Sequence, residues 1–450
     1  MFESVLVANR GEIARRIMRT AERLNIKTVA VYSEADAGLP FVREATESVL
    51  LGPASPAQSY LNIPAVLEAA AQTDAEAVHP GYGFLAENPD FAAAVLDAGL
   101  TWIGPSPEAI ARMGDKVKAR NLMTNVGVPV TPGSAEAIVS AELALEQAAE
   151  TGYPVMVKAV AGGGGIGMGA ARDAQELRSV FETARTRAER FFANPAVFLE
   201  RFVTRARHVE IQILGLTDGR IVTLGERDCS VQRRHQKLVE ETPSPGLPVE
   251  VRERMLAAAT RAGEAVGYRN AGTVEFLVDL ERPGEFYFLE MNTRLQVEHP
   301  ITELVTGVDL VEQQFLIAAG QPVSFGSGQL RPTGHAIELR IYAEDPVRFL
   351  PGPGTISKWH EPTGEGIRVD AGYAEGDTVT PFYDPLLAKL CAWGPDRETA
   401  LRRAATATAE FVVAGPKCNL PFLSRLLANE QFRSGAYDTG LVAEMPDRPT

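Results

Sequence analysis

The chain has 450 residues, 45% of them hydrophobic, which suffices for about three domains with ample buried apolar surface. Its net charge of −14 argues against a nucleic-acid partner, and no apolar run approaches the ~20 residues of a membrane-spanning helix. The three scattered cysteines are too few for a disulfide framework or a zinc site, and the N-terminus lacks the order of a secretory signal. We therefore expect a cytoplasmic protein that binds neither nucleic acid nor membrane.

The first segment alternates between predicted strands and helices. Strands are predicted over residues 4–8, 28–32, 75–79 and 101–103, and helices over 12–24, 63–71 and 90–98. This alternation predicts a doubly wound parallel sheet, whose ligands bind beyond the carboxyl ends of the strands. The loops at those ends, 9–11 and 79–83, are rich in polar and turn-forming residues.

The rest of the chain falls into segments with different patterns of predicted helices and strands. From Gly114 onward, helices are predicted over 116–125 and 174–192, and extended segments over 155–159, 168–171 and 197–201. Period-two strands at 208–215, 220–227, 273–278 and 286–291 predict a mixed or antiparallel sheet, covered by helices near 249–266 and 309–319. After Pro332, strands are predicted near 336–343 and 367–370 and a helix near 397–413. The fold class is therefore α/β, with mixed α+β regions.

A glycine cluster follows the predicted strand 155–159, which ends near Lys158. The letters fit a dinucleotide fingerprint, but an extended segment follows where a helix is required, and no Walker-type Gly-Lys-Ser/Thr is present. The N–H groups of a glycine-rich hairpin tip can fold over triphosphate oxygens, with Lys158 as a matching cation. We favour this phosphate lid over a merely flexible loop, because so many glycines weaken a hairpin built for stability alone.

Two carboxylates are predicted to face each other across a strand pair. If the connection centres on residues 282–283, Glu275 lies opposite Glu290, and Asn292 shares the face of Glu290. Opposed carboxylates repel, and a hard cation such as Mg²⁺ or Mn²⁺ removes that penalty. The apolar neighbours favour a buried metal site over a solvated polar face.

Two polar stretches are candidate anion sites. Arg294 offers a planar fork for a carboxylate-like anion, and Glu298 is a candidate base beside it, although the stretch 292–300 alone also fits a polar loop. The run 226–237 carries four cations if His235 is charged. Such a run is usually a solvated face, but in an acidic protein it is a candidate anion site. Cys229 within it is more typical of a small buried hydrophobe.

Together these stretches resemble the biotin carboxylase family of the ATP-grasp superfamily, over essentially the whole chain. The matching motifs lie at 8–14, 79–85, 113–116, 158–168, 207–212, 226–237, 290–300 and 334–340. The resemblance implies a Rossmann-like N-terminal domain over 1–114 and an ATP-grasp region over 115–330 with a glycine-rich lid at about 131–203. A mixed α+β C-terminal domain over 331–450 follows.

The resemblance also implies residue roles. ATP would be held by Lys116, Lys158, Gly163, Gly164, Gly165, Glu200, His208, Gln232, His235, Glu275 and Glu290. Two Mg²⁺ or Mn²⁺ ions would be held by Glu275, Glu290 and Asn292. Bicarbonate would be held by Lys237, Arg294, Gln296, Val297 and Glu298. The catalytic residues would be Lys237, Arg294, Glu298 and Arg340. Tyr82 and Arg340 would contact biotin. The implied reaction is the first half-reaction of an acetyl-CoA or other acyl-CoA carboxylase, in which ATP activates bicarbonate as carboxyphosphate and biotin accepts the carboxyl group.

The sequence departs from the family pattern at the lid, where Val160 and Ala161 precede four glycines and Ile166 stands in place of an Arg. Arg201 stands where Lys often occurs. None of the nine methionines is followed by the Lys that carries biotin, so we expect biotin to arrive on a separate biotin carboxyl carrier protein and a carboxyltransferase subunit to complete the cycle. The resemblance also implies a homodimer. The final carboxyl acceptor, whether an acyl-CoA or a 2-oxo acid, stays open. Two alternatives remain: an ATP-grasp ligase with another acceptor, and a catalytically silent scaffold subunit.

Overall fold

The computed structural model describes residues 1–160, 167–325 and 332–445. Its N-terminal part contains a five-stranded parallel sheet in the order β3-β2-β1-β4-β5. The elements are strands β1 Ser4–Val7, β2 Lys27–Ser33, β3 Glu47–Gly52, β4 Ala77–His79 and β5 Thr101–Trp102 and helices α1 Gly11–Arg23, α2 Pro40–Glu44, α3 Ile63–Gln72, α4 Pro89–Asp97 and α5 Pro107–Gly114. Val5 and Val7 face the α1 side of the sheet, and Leu6 faces α3 and α4. The predicted doubly wound sheet is therefore confirmed.

A small antiparallel sheet in the order β7-β6-β8 forms the next unit. Its elements are helices α7 Ala141–Thr151 and α8 Ala174–Phe192 and strands β6 Val155–Ala159, β7 Met168–Ala171 and β8 Val197–Arg201. Helix α6 Lys116–Asn125, which precedes them, packs instead against the strand at residues 286–292 and the helix at residues 249–265. Phe181 of α8 packs on the sheet, and the Asp173 side chain caps α8 by accepting the N–H groups of residues 175 and 176. The predicted hairpin β6–β7 is present, while Ala161, Ile166 and the predicted phosphate-binding residues Gly163, Gly164 and Gly165 lie outside the described residues.

An eight-stranded antiparallel sheet in the order β13-β12-β9-β10-β11-β14-β19-β17 dominates the remainder. The strands that follow β8 are β9 Ala206–Gly215, β10 Ile221–Arg233, β11 Gln236–Thr242, β12 Asn270–Asp279, β13 Phe286–Asn292, β14 His335–Tyr342, β15 Gly354–Thr355, β16 Lys358–His360, β17 Ile367–Ala371, β18 Thr378–Val379, β19 Leu386–Gly394 and β20 Val412–Ala414. The helices that follow α8 are α9 Val249–Ala265, α10 His299–Thr306, α11 Leu310–Ala318, α12 Arg397–Glu410, α13 Leu420–Ala428, α14 Glu430–Ser434 and α15 Leu441–Glu444. Because β11 pairs with β14, residues on both sides of position 330 share one sheet.

The helix predicted near 397–413 is too long. Helix α12 ends at Glu410, and Val412–Ala414 form strand β20, which pairs with β16. The β-branched Val412 and Val413 favour an extended conformation once a partner strand is available.

Across the described ranges, no helix combines the length and apolar character needed to cross a bilayer.

Candidate active site

A cavity of about 810 Å³ lies between the small sheet β6–β8 and the face of the eight-stranded sheet. It brings together residues predicted from four separate motifs. The predicted residues that line it are Lys116, Lys158, Glu200, His208, Gln232, His235, Lys237, Glu275, Glu290, Asn292, Arg294, Gln296, Val297 and Arg340. Glu298 lies directly behind this lining, and Tyr82 lies outside it.

The two opposed carboxylates occur as the sequence predicts. Glu275 of β12 pairs in register with Glu290 of β13, next to an irregularity in the strand pairing. Burial raises the pKa of Glu290, and the neighbouring charge of Glu275 raises it further. Burial also acts on Glu275, but the charges of Lys237 and His208 hold its pKa well below the usual value. A cation bound next to Glu290 would therefore be stabilised by the pair. Lys116 Nζ lies 3.9 Å from the Glu290 carboxylate.

Glu275 is also the acceptor of several hydrogen bonds. His208 Nε2 lies 2.8 Å from its Oε2, and Asn292 Nδ2 donates to Oε1 over 2.8 Å. Burial lowers the pKa of His208, but the charge of Glu275 outweighs this and raises it above the usual value. These contacts fix the Glu275 carboxylate at the floor of the cavity.

Lys237 of β11 is the central cation of the site. Its Nζ donates to Glu210 Oε2 over 2.7 Å, to Glu275 Oε1 over 2.9 Å and to Glu298 Oε1 over 2.7 Å. Burial alone would lower its pKa, but the surrounding acidic groups raise it well above the usual value. Lys237 is therefore a permanent cation. Glu210, which also accepts from the fully buried Arg227 over 2.6 Å, was not predicted.

Glu298 stands at the N-terminus of α10 without capping the helix, so its carboxylate turns toward the sheet. It is 0% exposed, with Oε1 on Lys237 and Oε2 accepting from Arg340 Nη2 over 3.0 Å. Burial raises its pKa, but Lys237 and Arg340 outweigh this and hold it well below the usual value. The group is an ionised proton acceptor at neutral pH. Cys229, buried as predicted, has its Sγ 3.7 Å from Oε1.

Two nitrogens of the Arg294 guanidinium already donate hydrogen bonds to protein side chains. Its Nε donates to Glu87 Oε2 over 2.9 Å, and its Nη2 donates to Asn292 Oδ1 over 3.1 Å. Glu87 comes from the loop between β4 and α4 and was not predicted. The motif at 79–85 ends two residues before it, and no spacing rule points to Glu87 itself.

The small sheet contributes a second ion pair to the cavity. Lys158 of β6 forms an ion pair with Glu200 of β8, and Thr131 Oγ1 donates to Glu200 Oε2 over 3.0 Å. Arg201, next on the strand, also lines the cavity, and its Nη2 donates to Tyr287 Oη over 2.7 Å.

Residues 226–237 lie in a β-hairpin that directs their basic side chains to different places. Arg234 and His235 take left-handed backbone conformations at the turn. Burial lowers the pKa of His235, and Lys158 lowers it further, so this residue is neutral. Arg233 turns away, with its guanidinium 4.2 Å from the ring centroid of Phe349. The run is thus not a set of four cations facing one anion.

Tyr82 is tied to the back of the site through Glu12. Its hydroxyl donates to Glu12 Oε1, and Lys389 Nζ lies 3.1 Å from Glu12 Oε2. Lys389 is 0% exposed and also donates to the Val297 carbonyl over 2.9 Å. Glu12 and Lys389 were missed as site residues. The only signal was that Lys389 is one of few lysines in an arginine-rich chain.

The glycine-bearing hairpin over an antiparallel sheet, with paired carboxylates and a lysine hub beneath it, is the arrangement of an ATP-grasp enzyme. Three family models match the chain: "Biotin carboxylase, N-terminal domain" at residues 1–110, "Carbamoyl-phosphate synthase L chain, ATP binding domain" at 115–325 and "Biotin carboxylase C-terminal domain" at 338–444. The chain belongs to the biotin carboxylase family.

Individual relatives match this chain over at least 90% of their own lengths. Biotin carboxylase of Halalkalibacterium halodurans is 50% identical, covering 98% of this chain and 97% of that one. A pyruvate carboxylase subunit of Methanothermobacter thermautotrophicus is 48% identical, covering 99% and 90%.

Solved structures show the same fold. The Campylobacter jejuni biotin carboxylase–β,γ-ATP complex superposes with a TM-score of 0.96 at 41% identity, covering 99% of both chains. The biotin carboxylase domain dimer of Hydrogenobacter thermophilus 2-oxoglutarate carboxylase, in complex with MgADP, ADP and bicarbonate, superposes with a TM-score of 0.95 at 43% identity, covering 99% and 98%.

Proposed function

We propose that this protein carboxylates biotin, using ATP to activate bicarbonate. The observation that carries the proposal is the fully buried Glu298 carboxylate, which lies between Lys237 and Arg340 beneath a cavity that also contains the Glu275–Glu290 pair. A base flanked by two cations suits an anionic substrate that must lose a proton and then attack a phosphate.

The ATP site would lie under the small sheet. Lys116 and Lys158 would meet the phosphates, and His208, Gln232, His235 and Glu200 would complete the nucleotide pocket. The N–H groups of Gly163, Gly164 and Gly165 remain part of this proposal on the sequence pattern alone.

The donor set fits a hard divalent cation, because Glu290 is a half-buried carboxylate whose ionisation is opposed by burial and by Glu275. Glu275, Glu290 and Asn292 would hold Mg²⁺ or Mn²⁺, two ions in all. When bound, such ions neutralise charge on the nucleotide phosphates.

In the first step, Lys237, Arg294, Gln296 and the backbone of Val297 would hold bicarbonate. Glu298 takes the bicarbonate proton, and the oxygen so freed attacks the γ-phosphorus while the bond to ADP breaks, giving carboxyphosphate. The charges of Lys237 and Arg340 that lower the pKa of Glu298 would also lower that of a bound bicarbonate, so the two shifts act in the same direction.

In the second step, carboxyphosphate breaks down to CO₂ and phosphate, and the phosphate takes the proton of the biotin ureido nitrogen. The nitrogen then attacks CO₂. Arg340 would stabilise the enolate form of biotin, and Tyr82 would help to seat it. Preorganised positive charge of this kind lowers the activation free energy. Removal of a single oxyanion-hole donor commonly costs about 2.7–4 kcal/mol.

The partners belong to the same proposal. Biotin would arrive on a separate biotin carboxyl carrier protein, a carboxyltransferase subunit would pass the carboxyl group on, and this chain would form a homodimer in the cytoplasm. The named relatives act in carboxylases of different acceptors, including pyruvate and 2-oxoglutarate, so the acceptor would be set by the carboxyltransferase. We also propose domain boundaries near 114 and 330, with the lid at about 131–203.

The test is ADP release by the purified protein with ATP, Mg²⁺ and bicarbonate, with and without free biotin. We expect biotin-stimulated turnover, and a higher melting temperature with saturating Mg-ATP. Thermal stabilisation without any response to biotin, either free or on a carrier protein, would favour a ligase with another acceptor. No stabilisation at all would favour a silent scaffold. The same assay on Ile166→Arg measures what the unusual lid residue does to the rate.

A further inference from the structure

Glu240 is a fully buried carboxylate of β11 that lies beside Arg340. Its Oε1 is 2.6 Å from Arg340 Nη2, and the same nitrogen is 3.0 Å from Glu298 Oε2. Within the described ranges, Nε of Arg340 and both carboxylate oxygens of Glu240 are buried without a hydrogen-bond partner, so the contact between the two side chains is an ion pair. The two ion pairs at Nη2, to Glu240 and Glu298, therefore help to orient this guanidinium.

The sheet register explains why Glu240 reaches Arg340. Glu240 lies directly opposite Glu338 of β14, and Arg340 lies two residues further along β14, on the same face. Glu240 and Arg340 are thus diagonal neighbours across two antiparallel strands, a distance that long side chains span.

The two opposed carboxyls, Glu240 and Glu338, differ in their surroundings. Burial raises the pKa of Glu338 well above its usual value. Burial also raises the pKa of Glu240, but Arg340 opposes the shift, and the result is about 7. Of the pair, Glu240 is the one that forms an ion pair with Arg340, through the 2.6 Å contact between Oε1 and Nη2.

We propose that Glu240 is a positioning residue that holds Arg340 in the orientation needed to stabilise the biotin enolate. The inference rests on the proposed function, because it assigns Arg340 to the biotin half of the reaction. Glu240 itself touches neither biotin nor bicarbonate in this scheme. Its loss should therefore affect biotin-dependent turnover more than ADP release without biotin.

The test compares Glu240→Gln with a matched control, Glu338→Gln, from the facing position of the same sheet. Both substitutions keep side-chain shape and remove a buried carboxyl. For Glu240→Gln, we expect biotin-dependent ADP release to fall at least tenfold more than bicarbonate-dependent ADP release without biotin. For Glu338→Gln, we expect both rates to stay within about twofold of wild type, because the ion pairs of Arg340 in the described part of the chain are with Glu240 and Glu298.

A pH profile supplies a second readout. The charged and titratable groups that face Glu240 are Arg340 and Glu338 of β14, Glu298 of α10, Lys237 of its own strand and Cys229 of β10. Biotin-dependent turnover of the wild type should fall as Glu240 takes up a proton below about pH 7. That part of the profile should be missing in Glu240→Gln.

The outcomes separate the two proposals. Wild-type protein that never responds to biotin overturns the proposed function and this inference with it. A wild type that responds, together with equal losses of both rates in Glu240→Gln or an equal loss of biotin-dependent turnover in Glu338→Gln, overturns the inference alone. If Glu240→Gln fails to fold, Glu240→Asp keeps the charge but withdraws it by one methylene, and the same unequal loss is expected.

Discussion

Glu298 Oε1 lies 2.7 Å from Lys237 Nζ, so the candidate base and the central cation of the site are in direct contact. Glu298→Gln keeps the shape but cannot accept the bicarbonate proton. We expect bicarbonate-dependent ADP release to fall by roughly 10²–10⁴-fold. The rise in melting temperature with Mg-ATP should persist, because Glu298 lies behind the nucleotide pocket. Glu250→Gln, exposed at the start of α9, is the control, and turnover of Glu298→Gln within threefold of wild type would contradict the assignment.

Glu290 should show opposite effects with and without divalent ions. Because burial and Glu275 both oppose its ionisation, Glu290→Gln should leave the metal-free melting temperature unchanged or higher. With ATP present, the further rise caused by Mg²⁺ should be lost, and the KM for Mg-ATP should increase at least tenfold. Glu285→Gln, exposed on the same hairpin, controls for loss of surface charge. Retention of the full Mg²⁺ effect in Glu290→Gln would place the metal elsewhere.

Glu241 should make stability depend on pH in the acid range. His335 Nε2 lies 2.6 Å from its Oε2, and Arg397 Nε donates to the same oxygen over 2.7 Å. Burial raises its pKa, but these hydrogen bonds bring it from 4.5 down to about 2. The ionised group therefore stabilises the fold above pH 4.5, and this contribution, about 3 kcal/mol, is lost as the pH falls toward 2.

Glu241→Gln should accordingly melt at a lower temperature than wild type at pH 7, with a smaller further decrease between pH 5 and pH 3. Melting temperatures measured across that range give both quantities, and Glu398→Gln, exposed on α12, serves as the control. Parallel curves for Glu241→Gln and wild type would show that this carboxylate does not carry the effect.

Phe276 supports the strand that carries Glu275. It is fully buried, and its ring meets Phe286 at 5.5 Å and Phe288 at 6.5 Å between centroids, edge to face. Phe276→Ala should cost about 3–5 kcal/mol of unfolding free energy through lost burial and a residual cavity. Phe382→Ala, at a ring that is 51% exposed, should cost no more than about 0.5 kcal/mol. Denaturant titration of both variants gives the comparison, and equal costs would argue against this packing.

The sequence predicted the bounds of helices and strands closely where the hydrophobic period and the end-capping residues indicate the same element. The predicted helices 116–125 and 174–192 and strand 155–159 coincide with α6, α8 and β6. Strand β3 was missed because it is an edge strand with little burial contrast between its faces. Strand β11 was missed because its hairpin turn is formed by Arg234 and His235, which are not turn-formers by type.

The sequence also predicted the Glu275–Glu290 pair, but the two carboxylates face each other because the strand pairing shifts by one residue between Phe276 and Glu275. Only the tertiary structure decided the rest of the site. Lys237 and Glu298 are 61 positions apart, and Arg340 and Glu298 are 42 apart, so their contact depends on the order of strands in the eight-stranded sheet. Burial and cations on other strands likewise decide which carboxyl is ionised. Coulomb interactions depend on the distance between charges in space, and the sequence alone does not reveal that distance.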